Sequence, residues 1–147
     1  MDERLRQSYC RWLLPILVAA AGILVVRVTG PGLARMWTAS IRAWMPWIFC
    51  LSLAGAVAGP VMVRAAFAHG VRGEARVGES AFFRFRLRLI QVSMIGPYLA
   101  LAALVPDSPG FHGLGILLAA FYAVYYGYPS KDRIDFDRRL FRVKAGA

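Results

Sequence analysis

The chain reads as an all-α integral membrane protein: a four-helix transmembrane bundle with both ends on the cytoplasmic side. Three observations carry that expectation. Of the 147 residues, 59% are apolar and only 18% charged, against roughly 45–50% and 25% in soluble domains. The apolar residues are clustered, with uncharged runs at 12–26, 43–63, 89–106 and 108–130, which are 15, 21, 18 and 23 residues long. A helix crosses a bilayer with about 17–25. The basic residues are placed just as unevenly. Three precede the first run, three lie between the first and second, six between the second and third, none between the third and fourth, and six follow the fourth. Threaded with the N-terminus inside, 15 are cytoplasmic and 3 external, which is the bias that orients a membrane protein during insertion.

The expected spans are about 12–28, 44–67, 88–105 and 113–128, in a single membrane domain over 1–147 with a cytoplasmic tail at 129–147. The first run is short, but Arg11 and Arg27 can lift their charged heads to the interface along apolar stems. Arg4, Arg6 and Arg11 ahead of it follow the plan of a signal peptide. Asp2, Glu3 and the sequence Arg-Val-Thr-Gly at 27–30, with no A-x-A-like site, favour a retained span. Pro15 falls near the expected helix start, where its missing N–H is tolerated. Gly30-Pro31-Gly32 ends the helix.

Leu33, Met36, Trp37, Ile41 and Trp44 then recur at helical spacing, with Arg35, Ser40 and Arg42 polar. This predicts a short amphipathic helix in the outer interface, with Trp37, Trp44 and Trp47 in its aromatic belt. Pro60 should kink the second span. Ser80 is placed to cap the third helix. That helix should begin with Phe82 to Arg88, although Phe83-Arg84-Phe85-Arg86-Leu87-Arg88-Leu89 alternates as a strand would. A tight turn through Asp107-Ser108-Pro109-Gly110 leads into the fourth span, which Gly127 and Pro129 end. Ser130 should cap a basic tail helix reaching about Val143. Asp135–Arg139 and Arg133–Asp137 stand four apart on it, and Phe136, Leu140 and Val143 share one side.

Three sets of residues are candidates for function. Gly55 and Gly59, and the stripe Gly115, Ala119, Ala123 and Gly127, let helix backbones approach closely in lipid, as packing positions or as a partner face. Arg84, Arg86, Arg88, Arg138, Arg139 and Arg142 form a basic face for anionic lipid headgroups or a partner. Gln91, Tyr98 and Tyr122, near Ser93, form a possible polar pocket.

No catalytic, cofactor or metal site is expected. His69 and His112 fall at opposite ends of the bundle and cannot share a haem. Cys10 and Cys50 form no CxxC. Asp132, Asp135 and Asp137 each have a cationic neighbour. No G-x-S-x-G, HExxH or Walker pattern occurs, and no acidic residue lies within a span, as coupled carriers generally need. The positive charge is accounted for by topology, so nucleic acid is not an expected partner.

What remains is a non-catalytic multi-pass protein, an accessory subunit or assembly factor of a larger complex. It would act through helix packing and a basic cytoplasmic face, with anionic lipids and other membrane subunits, or a second copy, as partners. A small homo-oligomeric channel or facilitator is the alternative, and a lipid-acting enzyme a third. Usage of 16 Arg to 2 Lys points to a GC-rich bacterial genome, hence the inner membrane. Reporter fusions within residues 70–80 and after the tail should both report the cytoplasm; opposite sides would overturn this topology.

Overall fold

In its described residues each uncharged run is mainly helix, and the charged segments are partly helical too, apart from 71–74 and 76–78. The computed structural model describes residues 2–74, 76–106 and 110–143, with backbone alone at 2, 31–37, 39 and 40. Over these residues the helices are α1 (Asp2–Thr29), α2 (Pro31–Leu53), a π-helical stretch (Ala54–Ala58), α3 (Gly59–Gly70), α4 (Glu79–Ser93), α5 (Ile95–Ala103), α6 (Gly110–Gly127) and α7 (Lys131–Leu140). Three helical stretches are long and apolar enough to cross a membrane: Glu3–Thr29, Ile41–Gly70 and Gly110–Gly127.

Helix α1 starts in the charged leader, well before Trp12, so Pro15 lies in its interior. The reason is a stripe of Leu5, Tyr9, Leu13 and Ile16 at spacings of four, four and three, which packs into the core. Beyond it the helix is nearly bare. Only 6% of its apolar stretch is buried, and Leu14, Leu17, Val18, Leu24 and Val25 are exposed. A helix apolar on every side is stable only in apolar surroundings.

Helix α2 starts with Gly30 at its N-cap and Pro31 in its first turn, where proline costs no hydrogen bond. The expected interfacial helix is not a separate element. Its residues are the first turns of one continuous helix to Leu53, because no breaker stands between Gly32 and Leu53 except Pro46, which the helix absorbs. The side chains of Leu33, Met36 and Trp37 lie outside the described residues, as do Asp107, Ser108 and Pro109 of the expected turn. Pro60 acts on the backbone ahead of it. It has no N–H to donate to Ala56, and its ring crowds that carbonyl. The backbone widens ahead of it into a π turn, and the Gly59 N–H reaches Ala54 O, five residues back.

The expected third span, 88–105, is a correction: it is two helices rather than one. Pro97 removes the donor that Ser93 O would receive, and the chain breaks at Met94. The rod survives because Tyr98 N–H bonds Met94 O at 3.2 Å. Helices α4 and α5 are also the most enclosed elements, touching α1, α2, α3 and α6 between them. Ser80 does not cap α4; Gly78 holds the N-cap position, with no side-chain bond.

Ser130 does cap α7, its Oγ accepting the Arg133 N–H at 3.4 Å. The helix stops at Leu140, short of Val143. Arg142 adopts φ 49°, Val143 N–H returns to Arg138 O at 3.0 Å and Arg142 N–H to Arg139 O at 3.3 Å. This is a Schellman closure with arginine where glycine is usual.

The small residues sit where helices meet. A Cβ on Gly59 would lie 2.5 Å from Val92 Cγ1, on Gly115 2.5 Å from the Phe49 ring, and on Gly127 3.0 Å from Ser93 Cβ. A Cβ on Gly55 would lie 3.3 Å from Ile95 Cγ2. Ala119 and Ala123 are buried with Ala56. Gly59→Ala should therefore destabilise the protein by about 1–3 kcal/mol, since a helical valine strongly prefers one χ1 rotamer and Val92 would have to leave it or shift its backbone. Gly22, with nothing within 4 Å, is the control, and Gly22→Ala should be neutral or stabilising by up to about 1 kcal/mol. Thermal unfolding in mild detergent compares the two; equal effects would refute the close approach of α3 and α4.

Candidate functional site

The charged ends of the chain fold into one another. Leu5 and Tyr9 of α1, Phe82, Phe85 and Ile90 of α4, and Ile134 of α7 form a buried cluster, with Val63 and Phe67 of α3 and Phe141 packed against it. Phe67 stacks on Phe85 with centroids 4.3 Å apart, and Phe141 meets both rings edge-on, at 5.0 and 5.5 Å.

At the centre of this cluster is a carboxylate. Asp137 is fully buried. Arg86 Nη1 donates to its Oδ2 at 2.7 Å, and Arg64 Nη2 donates to Oδ1 at 3.0 Å and Oδ2 at 3.2 Å. One side chain of α7 thus ties together α3 and α4. Burial pushes the Asp137 carboxyl above its ordinary range, against the pull of the Arg86, Arg64 and Arg133 guanidiniums. Burial likewise draws Arg86 below its ordinary value, against Asp137. Desolvation leads in both, so neither ion is tolerable here without the other.

Beside the hub, the C-terminus of α6 is held by side chains. The last carbonyls of a helix have no partner within it. Here Tyr9 Oη donates to Val124 O at 2.8 Å, and Arg133 Nη1 donates to Tyr125 O at 2.9 Å and Tyr126 O at 3.0 Å. The Arg133 guanidinium also lies 4.6 Å from the centroid of the Tyr125 ring, near enough for cation–π attraction. At the other end of the molecule Arg27 Nη1 donates to Leu104 O at 3.2 Å, joining α1 to α5.

The expected site residues divide. Arg84, Arg88, Arg139 and Arg142 are exposed, and Arg138 is half-buried, bonding Glu79 at 3.3 Å. Arg86 does not belong to the basic face: it is buried and spent on Asp137. The expected Arg133–Asp137 pair along α7 is replaced by partners from other helices. On α7 the packed side is Ile134, Asp137 and Phe141, while Phe136 and Leu140 point outward, exposed. The polar pocket is a second correction. Gln91 and Tyr98 lie with Arg84, Arg88 and Ile95 on one exposed stripe of α4 and α5, at alternating spacings of four and three. Tyr122 stacks on Tyr126 on the outer side of α6, centroids 5.9 Å apart.

Among the grooves formed by the described residues are two between helices. One, of about 440 Å³, runs between the end of α3 and the start of α4, and is lined by Ala66, Phe67, Glu74, Arg84, Phe85 and Arg88 among others. The other, of about 720 Å³, is almost wholly apolar and lies between α2 with its π turn and α6. Among the described residues no group of three or more His, Cys, Asp or Glu side chains is placed to hold a metal.

Long exposed apolar helices joined to an ionic, aromatic end make this a helical membrane protein. Comparison with protein-family models, with curated proteins and with solved structures finds no match to the chain in any of the three.

Sequence reasoning missed Asp137 and Tyr9. For Asp137 the available signal was its position three after Ile134 and four before Phe141, on an apolar stripe. For Tyr9 it was the four-residue step from Leu5. Asp137→Ala should cost about 3–5 kcal/mol by stranding Arg86 in the interior. Adding Arg86→Met should restore at least half of that loss. Thermal unfolding in detergent measures both; a cost under about 1 kcal/mol for Asp137→Ala, or no recovery in the double variant, would remove the carboxylate from this role.

Proposed function

We propose that the protein crosses a bacterial inner membrane four times, with both termini cytoplasmic, and serves as a non-catalytic accessory subunit or assembly factor of a larger complex. In this reading the α4–α5 rod is the fourth crossing, made as a broken helix enclosed by the other three. The ionic hub and its arginines lie at the cytoplasmic boundary, where the basic residues concentrate.

The observation that carries the accessory role is the apolar groove between α2 and α6. Its floor is small (Ala56, Gly115 and Ala119) and its rims are large (Phe49, Leu118 and Tyr122). A floor of small residues between bulky rims matches the shape by which one transmembrane helix receives another. The occupant proposed is a transmembrane helix of a different subunit. The channel reading is weaker, because Gln91 and Tyr98 stand on the α4–α5 face while Tyr122 stands on the outer side of α6.

The test is affinity purification of the tagged full chain from its native membrane in mild detergent. Leu118 is exposed on the groove rim, so Leu118→Trp fills the groove without disturbing the core. Wild type should co-purify a membrane protein in fixed ratio, and Leu118→Trp should lose it. A wild-type chain recovered alone as a monomer, or a variant that keeps the same companion, would overturn the proposal.

A further inference from the structure

The groove between α3 and α4 carries a charge pattern that the hub does not use. Arg84 and Arg88 stand one turn apart on the exposed side of α4, so their side chains are neighbours. Across from them Glu74 closes a turn in which its N–H bonds Val71 O at 3.1 Å. Gly73 makes that turn possible by taking φ 106°, a conformation open to glycine and costly for other residues. All three charged side chains are exposed and line the same groove, over a floor that includes Ala66, Phe67 and Phe85.

We infer that this groove is a binding site for an aminophospholipid of the ethanolamine type. Two arginines placed side by side match the oxygens of a phosphodiester. An anionic lipid would leave the third charge of the groove, Glu74, facing a like charge. An ethanolamine headgroup answers both. Its phosphate meets Arg84 and Arg88, and its ammonium, two carbons away, meets Glu74. The acyl chains then lie along exposed apolar surface of α3, where Val61 and Met62 face outward. They lie on the helices and not between them, since the seam closes where Gly59 meets Val92. The inference rests on the four-span reading, which puts residues 63–74 and 81–88 at headgroup depth, and does not depend on the accessory role.

The test is native mass spectrometry of the purified full chain, titrated in detergent with phosphatidylethanolamine or phosphatidylglycerol. Wild type should retain the ethanolamine lipid about fivefold better than the glycerol lipid, the value of one exposed charge pair. Arg84→Gln with Arg88→Gln should lower retention of both by about 30-fold. Glu74→Gln should leave retention high and bring the preference to about one. All three positions are exposed, so the variants keep the fold, which circular dichroism checks. Equal retention by the double arginine variant, a wild-type preference for phosphatidylglycerol, or an unchanged preference in Glu74→Gln would each overturn the site. Failure of the topology reads differently: fusions would place residues 70–80 outside, while adduct ratios are measured without a membrane.

Discussion

The ion triplet at Asp137 sets the terms for the rest of the charged end. A buried carboxylate is costly to desolvate, and so are the two guanidiniums that meet it. The three are stable only together, which means that α3, α4 and α7 must arrive in one arrangement. From that arrangement the other contacts follow. Docking α7 carries Arg133 to the open carbonyls of α6, and places Phe141 edge-on to Phe67 and Phe85. The turn after α7 brings Val143 beside Val77, and the two form a bridge. A short polar helix with little intrinsic stability is thereby fixed to the membrane-crossing helices.

The molecule uses two different kinds of adhesion along its length. At the charged end the contacts are ionic, aromatic and specific in direction, and the central pair, Asp137 and Arg86, is buried from water. Along the apolar shafts nothing is gained by moving a leucine from lipid to protein, so close approach has to come from small residues. Gly59 against Val92 and Gly115 against Phe49 are contacts of that kind. They are tight but carry no orientation of their own. Orientation comes from the ends, from the hub at one and from Arg27 on Leu104 O at the other.

Much of the fold was legible because lipid imposes a simple rule: an uncharged run of sufficient length is a helix. That rule found the three helices long and apolar enough to cross a membrane, and capping preference found Ser130. The rule misread 88–105 because periodicity cannot weigh Pro97 against the packing around it. The site was less legible, for an electrostatic reason. On α7 two apolar stripes compete, Ile134–Phe141 and Phe136–Leu140, and only the first includes a carboxylate. Amphipathicity favours burying the clean stripe. The chain buries the charged one because Arg64 and Arg86, 73 and 51 residues away, wait to receive it. Such a pairing leaves no local mark. The arginine run 84–88 is opaque for the same reason, since burial separates Arg86 from its two like neighbours.

The hub also bears on what the surface can bind. Arg64 and Arg86 both pair with Asp137, so two cations meet one anion. Asp137 and Arg86 are buried, so water screens that pair little, while the Arg64 side chain stays partly exposed. Phe85 and Phe67 are shared between the hub's apolar cluster and the α3–α4 groove. The hub and the proposed headgroup site therefore share Phe67 and Phe85, so a change to the hub that moves these rings should also alter the groove.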